Sequence, residues 1–166
     1  MNKKITVEDI LDKEPCEEWT EERLRAKIGE GKTLLEILDM EDVSANNRIW
    51  CVAQFLDEKT NRAFAIWCAR QCKFNIKEHN EYIDVIEKFY NNEATLEELQ
   101  EADYKAYEAS NMAEDRAAFF GLSVFSTGHT TDDTAFGLAY WSTNIMGNGS
   151  TRNKQIAKLK EMINNG

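Results

Sequence analysis

Proline is nearly absent. Pro15 is the only one in 166 residues, and glycine occurs eight times. So few breakers argue against an all-β fold, whose many tight turns use both residue types, and favour helices. Basic residues are also scarce: 20 Lys and Arg face 30 Asp and Glu, for a net charge of −10. That deficit excludes simple binding to a nucleic-acid backbone, which needs a surplus of Lys and Arg. It also excludes adsorption to an anionic membrane surface. It suits a protein that meets a basic partner.

No run of about 18 apolar residues occurs, so no membrane span is expected. The opening MNKKITVEDILDKEP has no sustained apolar core, so no export leader is expected. A cytoplasmic location follows as the expectation. There the four cysteines, Cys16, Cys51, Cys68 and Cys72, would stay reduced. Signature loops are missing as well. There is no Walker A loop, no GxGxxG after a strand, no HExxH, no EF-hand loop and no GxSxG elbow.

What the chain does have is apolar material at helical spacing. Hydrophobic residues make up 42 % and aromatics 10 %, too much for a disordered chain. The length suffices for one domain with a core of its own. The stretch 57–72, DEKTNRAFAIWCARQC, is apolar without a break from Ala63 to Ala69. A helix apolar almost all round is expected to be buried on most sides. It is read as the central helix.

The other helices follow from caps and periodicity. Thr6 opens a short helix over 7–13, ended by Pro15. Thr20 opens one over 21–28, stopped by the glycines at 29 and 31. Thr33 with Glu36, and Thr95 with Glu98, have capping-box spacing. Asp42 or Ser44 opens a helix to about Leu56, and Asp57 caps the central one. Asn75 or Asn80 opens the next, with Tyr82, Ile83, Val85, Ile86, Phe89 and Tyr90 at helical spacing. The Thr95 helix runs to about Ala109. Further helices are expected from Asn111, from about Thr134 to Met146, and from Ser150 or Thr151 to Ile163.

Charge is segregated along the sequence. Residues 78–115 carry twelve acids against two bases, whereas 46–77 carry six bases against two acids. The acids that cluster on the expected helices are Glu81, Asp84, Glu87, Glu97, Glu98, Glu101, Asp103 and Glu108. Glu97, Glu101 and Glu108 stand at i, i+4 and i+11, one helical face. The plain reading is a solvated outer face. The sharper one is a surface for a basic partner, with helical carboxylates standing in for DNA phosphates and steering association.

Two places resemble chemistry. Cys68 and Cys72 are four apart on a helix and could share a Zn²⁺, but a structural site needs four ligands. Cys51, His79 or His129 would have to complete it, and buried cysteines usually act as small apolar residues. His129 lies in TGHTTDD beside Asp132 and Asp133, where a carboxylate could orient an imidazole base. No placed nucleophile accompanies it, and the same residues suit helix capping. Trp50, Trp67 and Trp141 sit among apolar neighbours and read as core. Trp19, Tyr104 and Tyr107 lie in polar stretches and suit exposed contacts.

The runs NNRIWCVAQ (46–54), LDEKTNRAFAIWCARQC (56–72) and EYIDVIEKFYNNEATLEELQEADYKAYEAS (81–110) carry a resemblance. They are similar to small helical proteins of prophages and mobile elements that bear the label immunity protein. Arg48, Ile49 and Trp50 match a first helix. Phe64, Ala65, Cys68, Ala69 and Arg70 match a second. Thr95, Glu97, Glu98 and Leu99 match a third. The likeness covers about residues 46–125. It departs from the pattern at 101–125, which lacks the usual Ala/Trp repeats, and in the first forty residues. It implies a mobile-element setting and a binding role, and it transfers no catalytic residue.

The expectation is therefore an all-α domain of eight or nine helices over residues 1–166. Residues 1–42 would form short peripheral helices and 43–166 the main bundle, with stacked helical hairpins as a variant. The expected function is a non-enzymatic acidic inhibitor or immunity factor, anti-CRISPR-like. It would block a basic, nucleic-acid-binding surface on a nuclease, toxin or defence complex. No cofactor, resident metal or catalytic residue is expected, and no direct contact with nucleic acid or membrane. The alternatives are an enzyme built on His129 or on Cys68 and Cys72, and a self-assembling homo-oligomer.

Overall fold

The computed structural model of the protein describes residues 3–71, 76–111 and 149–165. Eight helices account for most of them: α1 (Val7–Leu11), α2 (Glu21–Ile28), α3 (Leu34–Leu38), α4 (Ala45–Ala53), α5 (Glu58–Gln71), α6 (Lys77–Tyr90), α7 (Leu96–Asn111) and α8 (Gly149–Asn165). Among the described residues no strand forms beyond one isolated antiparallel bridge, Ile5 with Lys32. The class is all-α. No described helix is long and apolar enough to cross a membrane.

Local chemistry sets the helix starts. Thr6 and Asp9, and Thr33 and Glu36, form reciprocal capping boxes. In the second, the Glu36 carboxylate accepts the Thr33 backbone N–H at 2.7 Å. Thr95 and Glu98 repeat it, with the Thr95 N–H donating to Glu98 at 2.7 Å. Each box satisfies two backbone donors that a helix start otherwise leaves open. Ser44 caps α4, and the Asp57 carboxylate accepts the Thr60 N–H at 2.9 Å to start α5. α6 differs from expectation. Its cap is Ile76, without a side-chain bond, and Asn80 lies inside the first turn donating to the Ile76 carbonyl at 3.2 Å.

α2 ends on Gly29 at φ +57°, and Gly31 follows at φ +115°. Gly31 is required twice over. Its dihedral disfavours L side chains, and a Cβ there would lie 2.9 Å from the Ile5 carbonyl oxygen. That close approach lets Ile5 and Lys32 exchange backbone hydrogen bonds of 2.8 and 3.1 Å, tying the N-terminal segment to the α2–α3 turn.

One cluster of buried side chains runs from Ile5 through Ile49, Phe64, Tyr82 and Leu99 to Ile163. α5 buries Phe64, Ala65, Cys68 and Ala69, a single stripe, while Ala63 and Arg70 are exposed and Ile66 and Trp67 half-buried. The expectation of burial on most sides is thus corrected to burial of one face among the described elements. The hub is α8, which packs on α3, α4 and α5. Leu159 is fully buried there, and Ile156 and Ile163 nearly so. α6 and α7, joined by the turn at 91–95, pack closely as a helical hairpin.

A candidate acidic binding face on the helical hairpin

α6 is strongly two-sided. His79, Tyr82, Ile83 and Ile86 are buried, so the charged side chains take the two flanks. Glu78 and Glu81 fall on one flank, Asp84 and Glu87 on the other. α7 buries Leu99 and Ala106, which turns Glu97, Glu98, Glu101, Lys105 and Glu108 outward.

The packing of the two helices then makes a groove of about 360 Å³. Glu78, Glu81, Glu93, Glu98 and Glu101 line it, together with Lys88 and Lys105. Lys77 pairs with Glu81 and Lys105 with Glu101, both at 2.7 Å and both one helical turn apart on exposed surface. Such pairs are weak and exchange readily with solvent or with a partner's cations. Glu98 has a structural duty as well. The Thr95 backbone N–H, and then its hydroxyl, hold the Glu98 carboxyl below its usual range, so it stays ionised.

The eight carboxylates expected at a binding face divide into four groups. Glu81, Glu98 and Glu101 meet in the groove. Glu97 and Glu108 share the outer face of α7 with Glu101, and Glu108 accepts the Tyr104 hydroxyl at 2.6 Å. Tyr104 itself is 60 % exposed. Asp84 and Glu87 do not line the groove. They lie on the flank facing α5, where the Arg70 guanidinium pairs with both, at 2.9 Å to Asp84. Asp103 is half-buried, and one of its carboxylate oxygens is inaccessible and without a hydrogen-bond partner. Glu78 and Glu93 belong to the groove although their helical spacing alone did not select them.

Of the residues expected at exposed contacts, Tyr104 and Tyr107 are indeed exposed. Trp19 is partly buried against the core, with the Arg23 guanidinium 4.3 Å over its ring.

The chemistry-bearing candidates fall elsewhere. His129, Asp132, Asp133 and Cys72 lie outside the described residues. Cys68 is fully buried on α5, with the Gln155 amide of α8 at 4.0 Å. Gln155 in turn accepts from the buried Arg152 at 3.0 Å. His79 is fully buried under α6. Among the described residues, no group of three or more His, Cys, Asp or Glu side chains is placed to hold a metal ion.

No family model matches the sequence, and neither the comparison with curated proteins nor that with solved structures returned a match.

Proposed function

We propose that the protein is a non-enzymatic acidic binding protein that occupies a basic, nucleic-acid-binding surface on a protein partner. One observation carries this reading: five carboxylates from two helices and the turn between them line one groove with two lysines among them. The outer face of α7 adds Glu97 and Glu108. Clustered negative charge of this kind attracts a cationic surface, raises the association rate and competes with phosphates for the same Lys and Arg. Exposed Tyr104 supplies the type of aromatic side chain that anchors protein interfaces. The likeness of residues 46–125 to helical prophage and mobile-element proteins supports an inhibitor or immunity role, anti-CRISPR-like, against a nuclease, toxin or defence complex.

The test is affinity capture from a bacterial lysate with the full chain as bait. A second bait carries Glu78, Glu81, Glu93, Glu98 and Glu101 all changed to Gln. A partner retained by the first and lost by the second, and displaced by added duplex DNA, supports the reading. A partner retained equally by both removes it.

A further inference from the structure

A second cavity, of about 320 Å³, opens among the first four helices. Its walls include Ile10 of α1, Ile28 of α2, Val43, Trp50 of α4, and the connecting Trp19 and Met40. The two helices at its edge, α1 and α3, are five residues each. Trp19 and Trp50, which line it, are half-buried.

Size and charge select the occupant. The volume sits at the lower end of small-molecule pockets, roughly 300–1,000 Å³. As a sphere it is about 8.5 Å across, narrower than a helix with side chains at about 10–12 Å. The charged side chains that line it are two cations, Lys27 and Arg48, against one carboxylate, Glu14. Lys27 pairs with Asp42, and Arg48 donates to the Leu38 carbonyl at 2.7 Å. An ammonium has three donors and a guanidinium five, so both cations have donors for one more anion.

We propose that this cavity binds a small aromatic carboxylate. Its ring system seats against the Trp19 and Trp50 indoles, and its carboxylate is held by Lys27 with Arg48. The site is independent of the acidic hairpin.

The probes are 1-naphthoate and its neutral counterpart 1-naphthylmethanol, titrated into the full chain and read by methyl NMR. Naphthoate is expected to give saturable shifts at the Ile10, Ile28, Ile37, Met40 and Val43 methyls, and none at Ile83, Ile86 or Ile156. Val43→Trp fills the cavity and weakens naphthoate by at least about tenfold. Lys27→Gln weakens naphthoate by about tenfold and leaves naphthylmethanol within about twofold. The wild-type spectrum decides the matter even if a variant misfolds. No saturable shift at millimolar naphthoate, or shifts centred on Ile83 and Ile86, would overturn the proposal. An equal loss of both probes in Lys27→Gln would overturn its carboxylate specificity.

Discussion

Glu81 and Glu101 sit on different helices and line the same groove, each paired at 2.7 Å with a lysine one turn away on its own helix. Neither pair crosses the groove, so the two helices present their carboxylates outward and not to each other. The hairpin is held by its apolar seam, with its ion pairs on exposed surface.

Asp84 and Glu87 supply the internal control. They carry the same formal charge as the groove residues, and Arg70 pairs with both. Changing Asp84 and Glu87 together to Lys should alter partner affinity less than threefold. Changing Glu81 and Glu101 to Lys should lower it by tenfold or more. Equilibrium titration of the captured partner checks both.

The three capping boxes make stability pH-dependent. In Asp9, Glu36 and Glu98, a threonine backbone N–H first, and its hydroxyl second, hold the carboxyl below its ordinary value of 3.8 for Asp or 4.5 for Glu. A depressed folded-state value stabilises the fold above the unfolded-state value, and that stability is lost as pH falls through the lowered one. The melting temperature should therefore hold above about pH 5 and fall below pH 4.5. The double variant Glu36→Gln, Glu98→Gln should show a flatter fall. Thr6→Ala, which removes the α1 cap, should cost about 1 kcal/mol at neutral pH. Thermal melts across pH read all of these.

α8 as the hub makes a steep prediction. Leu159 is fully buried, so Leu159→Ala should cost about 2–5 kcal/mol. Ala63, exposed on α5 despite its apolar neighbours, should tolerate Ser within about 0.5 kcal/mol. Gly31→Ala should cost more than 1 kcal/mol, because a Cβ there meets the Ile5 carbonyl oxygen at 2.9 Å. Urea denaturation separates the three.

Thiol reactivity should follow burial. Desolvation pushes the Cys51 thiol up to about 12, while Cys16 is exposed. Iodoacetamide at pH 8 should alkylate Cys16 first and leave Cys51 intact until the protein is unfolded. Mass mapping of the modified peptides reads the order.

The sequence made some of this legible and hid the rest for physical reasons. Capping boxes are four-residue patterns, so Thr33–Glu36 and Thr95–Glu98 could be read directly, and with them the helix order and the all-α class. The start of α6 could not be read, because Ile76 caps it without any side-chain signal. The fate of Asp84 and Glu87 depended on Arg70, on a different helix, which periodicity within α6 does not reach. The groove needed the packing of α6 on α7, which recruits Glu78 and Glu93. The burial of α5 was overread from composition alone. An apolar run says that a helix has apolar faces, and its neighbours decide which of them are covered.

The most direct test of the central claim is the salt dependence of partner binding by the wild-type chain and by the variant with Glu78, Glu81, Glu93, Glu98 and Glu101 changed to Gln. Binding to wild type should weaken steeply as ionic strength rises, and the variant's weaker binding should be nearly flat. Affinity that is the same for both chains, at low salt and at high, would contradict it.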